Sequence, residues 1–432
     1  MHRVLVVQHH FLPVHNVAVG RMLGYARHLP ALGWEPVFLA RDWESADDAD
    51  PSWGLVWQPG LVAGAGVEIQ RAPQPPGPAR RPLPGPGRGP TGKALAKARR
   101  LRRLLAGPYP DELVGWCGPA VEAGLALARR TTVHAIASYC PPVTNHVVAS
   151  RLARALDVPW VPFFGDLASF LVPPLPRHSL ERRLRTARHA GWLAPAAAAA
   201  AASPAMAAYV HDTYGLRTEV ILTGLDPLDA PATARGDRCV VSHVGSIYPG
   251  DQRPELLLDG LDLLLAAQPD AARTLRVRLV GSKCDGTLRT LLRGRPAGLV
   301  CEVEPLGDPA TARRIVAESD GLLALTCTAH RDRHGTLSYP TKLFEALGAR
   351  RPILAVPADG DWVDELLATT GGGTSASDPA AIAAVLADWL AHWRSDGHVP
   401  WHGRTAALAP LERREQAARL ARLLDSVAGR AT

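Results

Sequence analysis

Residues 334–356 read HGTLSYPTKLFEALGARRPILAV. A short polar run ends at Pro340. Lys342 and Glu345 follow in an Ala-, Leu- and Gly-rich stretch of helical character, and 352–356 is a strand-like apolar run. A helix that opens after a proline and passes directly into a strand is one step of an alternating α/β chain. The pair also suggests a chemistry. A helix N-terminus carries about half a positive charge and free N–H groups, which suits an anion. Lys342 in the first turn adds a full charge. Glu345 stands one turn on, on nearly the same face. A diphosphate at the helix start and ribose hydroxyls one turn along would engage both. By spacing alone a lysine and a glutamate three apart are usually a solvated pair, so the surroundings must decide.

The surroundings repeat the pattern. A continuous apolar strand at 4–8 precedes an amphipathic helix at 20–32, closed by Gly33, and a strand at 35–40. That βαβ opening predicts a parallel sheet covered by helices on both faces. A strand at 133–138, a helix at Thr144–Leu156 and a strand at Trp160–Phe164 continue it. Seven alanines fill 196–202, and propensity alone makes them a helix. The stretch 220–226, VILTGLD, leads into a polar Ala- and Pro-rich run at 227–238, the expected domain boundary. The alternation then restarts: strand Cys239–Val244, helix Pro254–Ala267, strands at 277–280 and 299–303, helix Pro309–Glu318 and a strand at 321–326. Terminal helices are expected at 376–395 and 410–428. The division is therefore a Rossmann-like domain at 1–226, a second at 239–395, and a helical segment at 396–432 that packs back on the first.

Bulk numbers agree. A chain of 432 residues is too long for one core. With 47% hydrophobic and 21% charged residues it has ordinary globular composition. It lacks an apolar run of about 18 residues, so no membrane-spanning helix is expected. The opening MHRVLVVQHHFLP reads as a strand rather than a secretory signal, its apolar stretch being short and without a small-residue cleavage site. Cysteines 117, 140, 239, 284, 301 and 327 form no C-x-x-C, which fits free thiols in a reducing cytoplasm. The net charge of +7 is local, because nine basic residues and no acid lie between Arg80 and Arg103. The remainder is not basic, which excludes a general nucleic-acid binder. The run at 72–92 is a Pro-, Gly- and Arg-rich excursion. The basic amphipathic helix at 95–105 suits either an anionic membrane surface or an ordinary solvated face. Neither half has G-x-G-x-x-G after its first strand, and no G-x-x-x-x-G-K-[ST] occurs, which disfavours dinucleotide oxidoreductases and P-loop kinases. His and Cys spacing gives no metal site.

The central stretch resembles the P-[ST]-K-x-x-E-[YA]-L-A-x-G-x-P-[IV] signature of retaining family 4 glycosyltransferases, which have two Rossmann-like domains facing a central cleft (GT-B). Other stretches carry the same resemblance. VILTGLD is similar to the hinge-side I-x-N-G-x-D, and HVGSIYPGDQRPELLLDGL at 243–261 is similar to the opening of the donor domain. SYCPPVTNHVVASRLARALDVPWVPFFGDL at 138–167 resembles the S-x-P-P…D-[FL]-R-D region. PYPDELVGW at 108–116 resembles a run in members that assemble surface polysaccharides.

The resemblance implies retaining transfer from an NDP-sugar, UDP- or GDP-linked, in the cytoplasm, with no cofactor or metal. Lys342 would bind the diphosphate, Glu345 the ribose hydroxyls and Arg253 the diphosphate again, with Gly245 and Ser246 forming the turn after the strand. The leaving diphosphate gains charge in the transition state, so prepositioned cations stabilise it. His10, His15 and Asn16 belong to the acceptor-side loop, at the sheet edge where α/β proteins place ligands. His146, Asp166 and His334 are the candidate catalytic residues. For the short strand that the family places before Ser203, the alanine run must end a helix early. The departures are Leu337, where the family has the first Glu of Glu-x7-Glu, Ser246, where it has Arg, and a first loop without a Gly-Gly pair. The acceptor reads as a small molecule or a lipid-linked glycan, and the 95–105 helix would supply peripheral membrane contact. A nucleotide-sugar epimerase, a phosphorylase, or a degenerate sugar-nucleotide-binding protein on the same fold are the competing readings.

Overall fold

The computed structural model describes residues 1–46, 54–75, 111–167, 180–228, 236–247, 252–282, 284–305, 309–327, 331–332, 335–337 and 340–429. The excursion at 72–92 beyond residue 75 and the 95–105 helix lie outside them, as does His334. The chain divides into two compact units, Met1–Leu222 with Gln416–Thr432, and Thr223–Glu415.

The first unit is built on seven parallel strands. In chain order they are β1 (His2–Val7), β2 (Trp34–Arg41), β3 (Glu68–Ala72), β4 (Ala135–Cys140), β5 (Trp160–Phe164), β6 (Ala199–Ala201) and β7 (Thr218–Val220). Their order across the sheet is β3-β2-β1-β4-β5-β6-β7. Leu5 is registered between Val37 and Ile136. Val4 to Val7 are all at most 2% exposed, as continuous apolar strands covered on both faces must be. Helix α1 (Val17–His28) starts earlier than its apolar periodicity predicts because the Asn16 side chain accepts from the Val19 N–H at 3.0 Å and caps it. The seven alanines make β6 rather than a helix. All three of its residues are fully buried, and the strand pairs with β5 on one side and β7 on the other. Residues 416–428 dock on this unit: Gln416 accepts from Leu222 N–H at 2.8 Å, and Trp34 donates to Asp425 at 3.0 Å.

The second unit repeats the plan with β8 (Cys239–Val244), β9 (Leu275–Val280), β10 (Cys301–Glu304), β11 (Gly321–Leu325), β12 (Ile353–Val356) and β13 (Gly373–Ser375), ordered β10-β9-β8-β11-β12-β13 and parallel throughout. Helices α2 (Pro254–Ala267) and α3 (Pro379–Asp396) pack on one face through Leu257, Leu261, Ile382 and Leu386. Each such fully buried aliphatic side chain contributes about 1.5–3 kcal/mol. In both units the strand order reverses beside the first strand, between β1 and β4 and between β8 and β11. Open α/β sheets bind ligands at the carboxyl ends of the strands flanking that reversal.

Candidate functional site

At the second unit's reversal, β8 ends in His243 and Val244, and the chain turns through Gly245 and Ser246. Gly245 has φ 121, a backbone region closed to side-chain-bearing residues, and its N–H donates to Val280 at 2.8 Å. Helix α4 (Lys342–Gly348) opens opposite this turn. Lys342 Nζ donates to the Ser246 carbonyl at 3.1 Å and lies 2.8 Å from His243 Nε2. His243 is fully buried, and its Nδ1 is 3.1 Å from the Leu323 carbonyl. A carbonyl only accepts, so Nδ1 carries the ring proton and Nε2 accepts from Lys342. Sequence reading missed His243, which lay in plain view within the β8 run.

Burial sets the charge states. It lowers the Lys342 ammonium to about 7 and holds His243 well below its usual range, with the Lys342 charge adding to the latter. Lys342 is half-buried, and its Nζ turns to buried His243. Glu345 is exposed at the rim of a small recess also lined by Ser242, Val244, Leu322, Ala324 and Lys342. The protein crowding it pushes its carboxyl up, while Arg313, Arg413 and Lys342 pull it down. Water at the exposed rim screens much of that push. With seven residues α4 is under two turns, so the positive charge of the site rests on Lys342 more than on the helix.

Two further features of the motif appear only in three dimensions. A side-chain carbon on Gly348 would stand 2.5 Å from the Asp226 carbonyl oxygen, so residues 225–228 lie flush on α4. Arg350, standing where the signature has glycine, has φ 53 and closes the helix in a left-handed conformation. Of the other donor-side residues, Arg253 is exposed at the N-cap of α2, and its neighbour Gln252 is pinned to the Leu325 carbonyl at 2.7 Å. Leu337 is buried at 3% exposure.

The first unit gathers less of what the sequence suggested. Helix α5 (Thr144–Leu156) carries His146, which is 1% exposed, with its Nδ1 2.8 Å from the Oγ of Ser138 on β4 and its ring against Phe164. Burial lowers it to about 3. This is core placement, away from any surface a substrate could touch. His10 is 3% exposed and packed edge-on against His9. Asn16 spends its carbonyl on the α1 cap, and His15 lies against Gly20. Asp166 is half-buried beyond β5; burial raises Tyr139 and Cys140, and the Asp166 charge adds to both. Asn145 ties the reversal together, accepting from His9 N–H at 3.0 Å and donating to the Tyr139 carbonyl at 2.7 Å. Asp111, from the PDELVGW run, accepts from Thr144 N–H at 2.9 Å, from the Thr144 hydroxyl, and from Leu113 N–H at 3.0 Å, so it clamps the start of α5. Among the described residues no three His, Cys, Asp or Glu side chains gather as a metal site would need. No described helix is long and apolar enough to cross a membrane.

No protein-family model matches the sequence, and no curated protein matches it. Solved structures do. The chain is similar to the Anabaena protein HepE in complex with UDP-glucose, at 15% identity and TM-score 0.61, over 98% of this chain and 99% of that one. It is similar to sucrose-phosphate synthase from Thermosynechococcus elongatus at 15% identity and TM-score 0.61, over 99% and 100%. A glycosyltransferase from Rickettsia africae matches at 10% identity and TM-score 0.58, over 100% and 99%. The shared feature is the fold: two Rossmann-like domains with parallel sheets, the GT-B architecture.

Proposed function

We propose that the chain is a retaining glycosyltransferase that takes its sugar from a nucleoside-diphosphate donor. The observation that carries this reading is Lys342 Nζ held beside the Gly245 and Ser246 turn at the carboxyl end of β8, with Glu345 on the same face of α4. Lys342, and Arg253 at the start of α2, neutralise the leaving diphosphate, and Glu345 accepts from ribose hydroxyls. The sugar C1–O bond to the diphosphate breaks as the acceptor's bond to C1 forms. The acceptor proton passes to a diphosphate oxygen, and Lys342 and Arg253 supply the charge that a metal ion would otherwise bring to the leaving group. Asp166 orients the acceptor. HepE was solved with UDP-glucose and with UDP, which supports a uridine nucleotide for this chain as well. The acceptor is a small molecule or a lipid-linked glycan.

Calorimetric titration with UDP and GDP tests the reading. Micromolar binding of UDP supports it, and binding of neither nucleotide overturns it. A second reading, a sugar-nucleotide-binding protein without transfer, is favoured by one observation: buried Leu337 stands where the family has an acid. Hydrolysis or transfer of a radiolabelled UDP-sugar separates the two.

A further inference from the structure

His243 is a buried polar side chain on a central strand, where an aliphatic residue would be the ordinary choice. Both of its ring nitrogens are engaged. Nδ1–H donates to Leu323 on β11, which fixes the tautomer and the ring plane, and the Nε2 lone pair faces Lys342 Nζ. The second proton of the ammonium goes to the Ser246 carbonyl. Two acceptors, one from the end of β8 and one from within it, therefore hold a long flexible side chain in one place. A side-chain carbon on Gly245 would come within 3.3 Å of Nζ, so the turn is shaped around it.

We infer that His243 is the positioning residue for the donor-site cation: its Nε2 lone pair holds Lys342 Nζ beside the Gly245 and Ser246 turn, where the diphosphate of a nucleotide sugar would meet it. This rests on the donor-site reading above. A free lysine side chain loses rotamer freedom when a ligand fixes it, and prepositioning removes that cost from binding. Histidine suits the task because its acceptor stays uncharged. A carboxylate in the same place would pair with the ammonium and compete with the diphosphate.

The arrangement also couples binding to pH. The groups facing Lys342 are His243 on β8 and Glu345 on its own helix. Glu345 is in turn faced by Arg313 from helix Pro309–Glu318, by Arg413 and by Asp226. Arg314 and Glu318, also on that helix, pair with each other. With its ammonium near 7, Lys342 is partly neutral at physiological pH. A diphosphate anion raises it, so binding takes up a proton. Affinity for UDP-glucose is then full below pH 7 and falls as pH rises through 7 to 9. A sugar nucleotide suits the test better than UDP, whose terminal phosphate titrates in the same range.

The experiment is calorimetry of UDP-glucose between pH 6 and 9 on the full chain and on the variants His243→Phe, His243→Gln and Lys342→Ala. His243→Phe is expected to weaken binding about tenfold at pH 6.5 and to move the pH midpoint. His243→Gln, which retains an acceptor, is expected to recover most of the affinity. If Lys342→Ala weakens binding while His243→Phe binds with wild-type affinity and midpoint, this inference fails and the donor site stands. If Lys342→Ala also binds as wild type, the donor-site reading fails first. Should His243→Phe not fold, ring ¹⁵N shifts of histidine-labelled wild-type protein replace it. The His243 Nε2 resonance must move when UDP-glucose draws on Lys342, and an unmoved resonance overturns the inference.

Discussion

Lys342 Nζ lies 3.3 Å from the point where a side chain on Gly245 would place its first carbon. The two residues are 97 apart in sequence and belong to different elements, yet the turn and the cation are fitted to each other. The φ of 121 at Gly245 adds a second reason for glycine. Gly245→Ala is therefore expected to lose about 1–3 kcal/mol of stability in chemical denaturation. It should also weaken nucleotide binding by displacing Nζ. A wild-type affinity for UDP in this variant would sink the fitted-turn argument.

Lys342→Ala and Glu345→Ala should each weaken UDP binding by about 1.5–3 kcal/mol, the worth of a charge-assisted hydrogen bond. Exposed Glu345 belongs at the lower end of that range and buried Lys342 Nζ at the upper. Calorimetry at pH 6.5, where Lys342 is charged, gives the cleanest comparison.

Asp111 closes the start of α5 with two hydrogen bonds from Thr144, and a third from Leu113 N–H holds its own turn. Asp111→Ala strands the Thr144 N–H and hydroxyl, and a lost cap costs about 0.5–2 kcal/mol. We expect a lower urea midpoint with unchanged UDP affinity, since the clamp lies in the first unit and the nucleotide site in the second. A fall in UDP affinity at equal stability would show that the PDELVGW run serves the donor.

Burial holds His9, His146 and His189 neutral down to about pH 3. The unfolded chain protonates the same residues near 6.5. Between those values the unfolded state binds more protons, so stability is full above about pH 6.5 and drains away as pH falls towards 3. Each histidine kept neutral contributes about 1.4 kcal/mol per pH unit in that window. Urea midpoints at pH 7, 6 and 5 should fall steadily, and a flat series would contradict the buried, uncharged assignment.

Arg350 adopts φ 53 at the end of α4. A non-glycine residue there costs roughly 1 kcal/mol relative to glycine. Arg350→Gly is expected to raise the melting temperature by a few degrees. No gain would mean that the arginine side chain makes up the difference through its own contacts.

The legible parts of this protein share one property: their signal is local. Runs such as VLVV at 4–7 and ILAV at 353–356 declare strands because both sheet faces are covered. Helix bounds were off by a few residues where a polar cap decided them, as Asn16 does for α1 and Asp378 does at the start of α3. At the alanine run propensity favours a helix while the family resemblance places a short strand before Ser203, and the strand is what forms, paired to β5 and β7. His146 invited a catalytic role by heading a helix, whereas its ring turns into the core against Ser138 and Phe164.

The sequence by itself determined the alternation of strand and helix, the restart after residue 238 and the Lys342 and Glu345 pair at a helix start, because each is written in neighbours a few residues apart. The tertiary structure alone decided that His243 meets Lys342, that Asp111 meets Thr144, and which strands flank the short alanine strand. Those partners lie 99, 33 and at least 19 residues apart, and the crossovers of a parallel sheet bring them together. A hydrophobic pattern fixes which face of an element is buried, but it does not say what that face will touch.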